Sequence, residues 1–354
     1  MSGNQIDGGS LCRSTPLKKQ LDDTRQANLK NAGHVRSATG YDPVFFPLDV
    51  IEEVLSRDQV ESVLGCPCNW CENCAQYGLQ RRYEKRTTYL EFVMTKALKL
   101  FALLVSIGIP ALIGDFRDRG DDILEEKLDI GRLKSVYLVD IEKRFQLPAI
   151  ESILFSFLNF RHRFCPPVFN WEWFEHWDAN KALPFINTEY IGEGGYGKVY
   201  SFQIYPGYED FKFEDSVSNP VPEFALYMVL TEKQPKRKFA MKEVGLPTGP
   251  TESLNEEAST LTKIRDELED EKHIIKVLKI FRRGDKIHFI FPLARGNLVD
   301  FMSDPWNHQP NCNHPICQNT IWDQAVGMLK ALAKFHRPPK MSHWRGYHAD
   351  IKRT

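Results

Sequence analysis

The chain has 354 residues, with 46 Lys and Arg against 47 Asp and Glu and a formal charge of -1. At about 150 residues per domain that length predicts two domains, and the balanced charge supplies no global electrostatic drive toward nucleic acid or an anionic membrane. With 42% hydrophobic, 12% aromatic and 26% charged residues, the composition can fill real cores and excludes the collagen, coiled-coil and low-complexity classes.

Residues 1–40 hold 11 apolar side chains, six Lys or Arg and three Asp or Glu, with no apolar segment of the signal-peptide kind. They are expected to form a disordered leader. Apolar residues then recur three and four apart over 50–56, 60–64, 89–104, 124–138 and 150–160. That spacing predicts amphipathic helices and a mainly helical domain over 41–182. Within it, Leu100 to Gly114 runs 15 residues without charge but is broken by Gly108 and Pro110. A spanning helix needs roughly 20 apolar residues, so a buried core helix is predicted and no membrane partner. The protein is expected to be soluble, in the cytoplasm or nucleus.

Cys66, Cys68, Cys71 and Cys74 place four thiols within nine residues of this domain. Thiolates at C-x₂-C spacing suit tetrahedral zinc. Structural zinc sites usually unite two separated pairs across a fold, however, so reduced cysteines in a turn stand beside zinc as a reading. Cys12 and Cys165 suggest nothing specific. The aromatic stretch Phe169 to Trp177 closes the domain and is expected to pack against a neighbouring one.

After Leu183 the chain changes character. Short β-type runs appear at 197–204, 224–230, 238–244 and 286–291, interrupted by a predicted helix over 253–271. Tyr205 to Pro222 reads as an inserted loop, and helical periodicity returns over 320–335. Strands followed by helices predict an α+β domain over 183–354. Cys312, His314 and Cys317 lie before the last helix with no fourth ligand identifiable, so a plain loop is expected there. His336, at the end of that helix, is expected to be structural.

Gly192, Gly194, Gly197 and Val199 read G-x-G-x-x-G-x-V. Glycines let backbone amides approach phosphate oxygens without a Cβ in the way. A dinucleotide fold would place a helix directly after such a loop. Here Val199, Tyr200, Phe202 and Ile204 follow, so the loop is expected to join two strands and cover phosphates. Ala240 and Lys242 place a cation at the end of an apolar strand, where it can neutralise phosphate charge. Glu257 on the predicted helix can reach back to Lys242, and Glu256 is a near-equal alternative. Near the C-terminus, His348, Asp350 and Lys352 supply a carboxylate suited to accepting a hydroxyl proton and a lysine suited to steadying a transferred phosphoryl group.

In this order, residues Tyr190 to Lys352 resemble the eukaryotic protein-kinase family. The resemblance implies an ATP site between a lobe built of an antiparallel sheet plus one helix and an incomplete helical lobe. It also implies a hinge near Phe291 and Leu293, ATP with magnesium as cofactors, and phosphoryl transfer to a protein hydroxyl. Lys352 is similar to the serine/threonine branch, and the helical region is similar to leader regions of fungal kinase-like proteins. Three departures stand out. Ala349 occupies the position where the family carries Arg, the magnesium-binding Asn would fall one position beyond Thr354, and the D-F-G and A-P-E segments are absent. The sequence therefore predicts a kinase domain truncated within its catalytic loop and inactive as it stands. The alternatives are a kinase-like nucleotide-binding or scaffold module, or a zinc-organised adaptor.

Overall fold

The computed structural model describes residues 12–34, 44–66, 86–116, 119–139, 147–170, 174–194, 197–210, 237–245, 261, 268, 271, 273–294 and 318–336. The chain divides into two compact units, Met1–Val168 with Asn180–Ile186, and Phe169–Ala179 with Asn187–Thr354. The first unit is helical: α1 (Ser14–Asn31), α2 (Leu48–Val54), α3 (Arg57–Leu64), α4 (Arg86–Lys96), α5 (Leu98–Ser106) and α6 (Leu147–Phe160), with 3₁₀ turns at Pro110–Phe116 and Gly120–Leu124.

Its centre is α5. Leu100 to Val105 are all buried, as expected of a helix that is apolar on every side. Phe116 and Phe157 stack within the same core at 5.2 Å. The amides at the start of α5 have no partner inside the helix. Asp121 supplies one, accepting from Leu100 N at 2.7 Å and Lys99 N at 3.3 Å. Burial pushes the Asp121 carboxyl up, and those two amides offset only part of the rise. Gly120 makes the approach possible: its φ is +62°, and a Cβ there would run into the carbonyl of Lys96. The buried Arg161 guanidinium works at the other end of that turn, donating to the carbonyls of Glu126 at 2.5 Å, Leu124 at 3.4 Å and Ile123 at 3.5 Å.

Three expectations need correction. The segment expected to be a disordered leader contains α1, which buries Leu17, Leu21 and Leu29. These residues are few, but their spacing of four and eight puts them on one stripe, where they meet α2 and α5. The single helix expected over 89–104 is two helices, interrupted at Ala97 (φ -140°). The helix expected over 124–138 is replaced by short turns, Ile130–Arg132 and Leu133–Tyr137, the first capped by Asp129 accepting from Arg132 N at 2.7 Å.

The second unit is built on a six-stranded sheet in the order β1-β5-β6-β4-β3-β2. The strands are β1 (Phe174–Trp177), β2 (Phe185–Gly194), β3 (Gly197–Ile204), β4 (Phe239–Gly245), β5 (Lys279–Arg283) and β6 (Lys286–Pro292), and α7 (Gln318–His336) follows. Together with the helices this is a mixed α/β architecture compatible with the α+β expectation. The sheet itself is mixed, which corrects the antiparallel sheet expected. β3, β4, β6 and β5 pair antiparallel, whereas β1 runs parallel to β5, with Phe174 opposite Ile280 and Trp177 opposite Arg283. The aromatic stretch thus becomes an edge strand of this sheet: Trp177 lies 4.3 Å and Phe169 5.9 Å from the Phe281 ring. β5 and β6 are joined by Gly284–Asp285, and Gly284 sits at φ +62°, which suits a two-residue hairpin with glycine first. Among the described residues no helix is long and apolar enough to cross a membrane.

Candidate nucleotide site

In paired antiparallel strands, residues directly opposite share a face and positions two apart return to it. Val199 on β3 lies opposite Lys242 on β4, and Lys242 lies opposite Phe289 on β6. Two positions along, Ser201, Ala240 and Phe291 form the next row. Val199, Ala240, Lys242 and Phe291, four of the residues singled out from the sequence, therefore fall on one face within two adjacent rows.

That face has an apolar end and a half-exposed end. Val244, Ile280, Ile287 and Phe289 form a buried cluster with Val277, against which Leu261 and Phe291 pack. Lys242 is half-buried, with Nζ 5.7 Å from the centre of the Phe289 ring. An ammonium over an aromatic face keeps its charge while its stem is covered. Leu261 comes from the segment predicted as a helix.

The glycines separate into two kinds. Gly192 lies in β2 with nothing within 4 Å of where a Cβ would stand, whereas Gly197, at φ +146°, would drive a Cβ into the backbone carbonyl of Glu243. Gly197 is thus required by the close approach of β3 to β4. Among the described residues, Gly192 leaves open space beside a strand. Gly194 is the last residue of β2.

At the far end of β6, the amide of Leu293 donates to the carbonyl of Lys238 at 3.3 Å. Pro292 has no amide hydrogen. Glu256, Glu257, His348, Asp350 and Lys352 lie outside the described residues, as do Cys68, Cys71, Cys74, Cys312, His314 and Cys317. Of the first cysteine cluster only Cys66 is described, buried just after α3. Among the described residues no group of three or more His, Cys, Asp and Glu could hold a metal ion.

The opposite face of the sheet carries a charged cluster that sequence reasoning missed. Glu243 accepts from Lys286 Nζ at 2.8 Å and lies 3.4 Å from Nε2 of the buried His288. His288 holds the Glu243 carboxyl down at about 2, with help from Lys286 and against the upward push of burial. Farther along, the fully buried Lys279 ammonium meets Glu175 at 2.6 Å and Asn170 Oδ1 at 3.0 Å. The signal available for both was the alternation of charged and apolar residues in 279–289. No protein-family model matches the chain, and no curated protein matches it.

Proposed function

We propose that residues 183–354 form a protein-kinase-like nucleotide-binding domain that holds ATP against the face bearing Val199, Ala240, Lys242 and Phe291. The observation that carries this reading is the register: Val199 on one strand, Ala240 and Lys242 on the next and Phe291 on the third fall on one face, in adjacent rows. Val199 and Ala240 are small enough to admit a planar base. Lys242, two positions along β4 from Ala240, brings a cation to the phosphates. The open space at Gly192 lets backbone amides approach phosphate oxygens.

Leu261 on the same side of the sheet supports the reading further. Glu257 precedes it by four residues, one turn in a helix, and is assigned as the partner that would orient Lys242. Asp350 is assigned the role of receiving the proton of a serine or threonine hydroxyl, and Lys352 that of steadying the γ-phosphoryl group. Magnesium would bridge the phosphates in such chemistry. The described residues do not provide its ligands, so no step is routed through it.

The test measures binding of ATP to the full chain by calorimetry, beside transfer of a labelled γ-phosphate to a serine-containing protein. Lys242→Met should weaken ATP at least about tenfold, the worth of one charge-assisted contact. Any transfer should vanish in Asp350→Asn. ATP affinity unchanged in Lys242→Met would remove the nucleotide reading.

A further inference from the structure

The segment that leads into β5 meets α7 through a charged contact. Glu271 is buried. One of its oxygens accepts from Lys334 Nζ at 2.8 Å, and the other lies 3.4 Å from His273 Nδ1. The His273 ring in turn lies against Gly327 of α7. A glycine inside a helix costs about 0.5–1 kcal/mol relative to alanine. Here it makes room, because a Cβ on Gly327 would overlap the imidazole.

Beside this contact lies a cavity of about 570 Å³, walled by Glu271, His273 and one side of α7, a volume in the range of small-molecule sites. Val326, Lys330 and Lys334 line it at intervals of four, so they share a face of the helix. Two ammonium groups thus face the cavity with a single carboxylate. That carboxylate is already committed: Lys334, and after it His273, hold Glu271 below its ordinary range. An ammonium has three donors, so Lys334 keeps N–H groups beyond the one given to Glu271, and about half of its side chain (53%) is exposed. Lys330, one turn earlier, is exposed as well. Val326 and Ala333 add an apolar wall.

We propose that this cavity binds a small organic oxyanion, a phosphate monoester or a carboxylate carried on an apolar body. The oxyanion meets the ammonium groups of Lys330 and Lys334, and the apolar body lies against Val326 and Ala333. Glu271 positions Lys334, and His273, tied to Glu271 and seated on Gly327, forms the facing wall. None of the lining residues belongs to β3, β4 or β6, so the site is distinct from the sheet face assigned to ATP and does not rest on that reading.

The experiment titrates the full chain by calorimetry with phenyl phosphate, benzoate and, as the uncharged control, benzyl alcohol. At least one anion should bind with a Kd of about 1 mM or tighter, and the tighter of the two identifies the head group. Lys330→Gln should weaken that binding about fivefold, the upper end for an exposed charge pair, and Lys330→Arg should restore it. Val326→Ser should weaken it as well, whereas Lys242→Met should leave it unchanged. Weaker binding of both anions, equal affinity in Lys330→Gln, benzyl alcohol bound as tightly as the anions, or loss of binding in Lys242→Met would each overturn the assignment.

Discussion

Where α5 runs through the helical unit, six consecutive buried positions, Leu100 to Val105, are all apolar; the sheet unit instead buries Lys279, His288, Ser201 and Gln203 beside Phe281 and Phe289. Each solution carries its own weakness. An apolar core loses stability when volume is removed, because the cavity cannot fully collapse. A sheet that buries charge loses stability when one member of a pair is removed and the other is left without compensation. Asp121 and Arg161 show that the helical unit also uses charge, but there it terminates backbone ends and does not pair across strands.

The largest effect is expected in the helical core. Phe101→Ala should cost about 3–5 kcal/mol in urea denaturation, and a loss under 1 kcal/mol would show that this core repacks easily. Next comes the buried cation. Among the described residues, Lys279→Met leaves Glu175 with the Trp177 Nε1 donor at 2.6 Å, and it should cost about 3 kcal/mol. Adding Glu175→Leu should recover most of that loss. If the double variant is no better than the single one, the lysine stem matters more than the charge, and the contrast between the units narrows.

Acid provides the third and smaller test. The Glu243 carboxyl is held at about 2 against an ordinary value of 4.5. Its folded value lies below the unfolded one, so the stabilisation is complete above pH about 4.5 and is lost as pH falls toward 2. The Glu243 side chain is 19% exposed, and solvent screening leaves on the order of 2 kcal/mol. Glu243→Gln should flatten the decline in stability between pH 4.5 and 3 measured by urea titration. An unchanged acid limb would mean that other carboxylates govern it.

Legibility in the sequence followed how local each signal was. β3, β4, β6 and α7 could be read because alternation and helical period are properties of a short window. The face shared by Val199, Ala240, Lys242 and Phe291 follows from the same alternation once the strands are paired. β1 was hidden because its aromatics read equally well as a packing patch, and only pairing with β5 distinguishes the two. β5 could have been found from Gly284–Asp285 between two apolar runs. α1 was masked by composition, since three leucines on one stripe leave the average polar. The contact of the Arg13 amide with Cys66 Sγ is tertiary and has no sequence signature at all.

The last test separates structural from functional glycine within a single motif. Gly197→Ala forces a side chain into φ +146° and against the Glu243 carbonyl, at a cost of about 1–3 kcal/mol. Gly192 has open space around it, so Gly192→Ala should change stability by no more than about 0.5 kcal/mol. On the nucleotide reading it should nonetheless weaken ATP severalfold, because the added methyl stands where a phosphate would approach. Calorimetry and urea denaturation on both variants would therefore give opposite rankings. If both glycines affect stability alone, the motif reflects strand packing, and the case for a phosphate-covering hairpin falls back on Lys242.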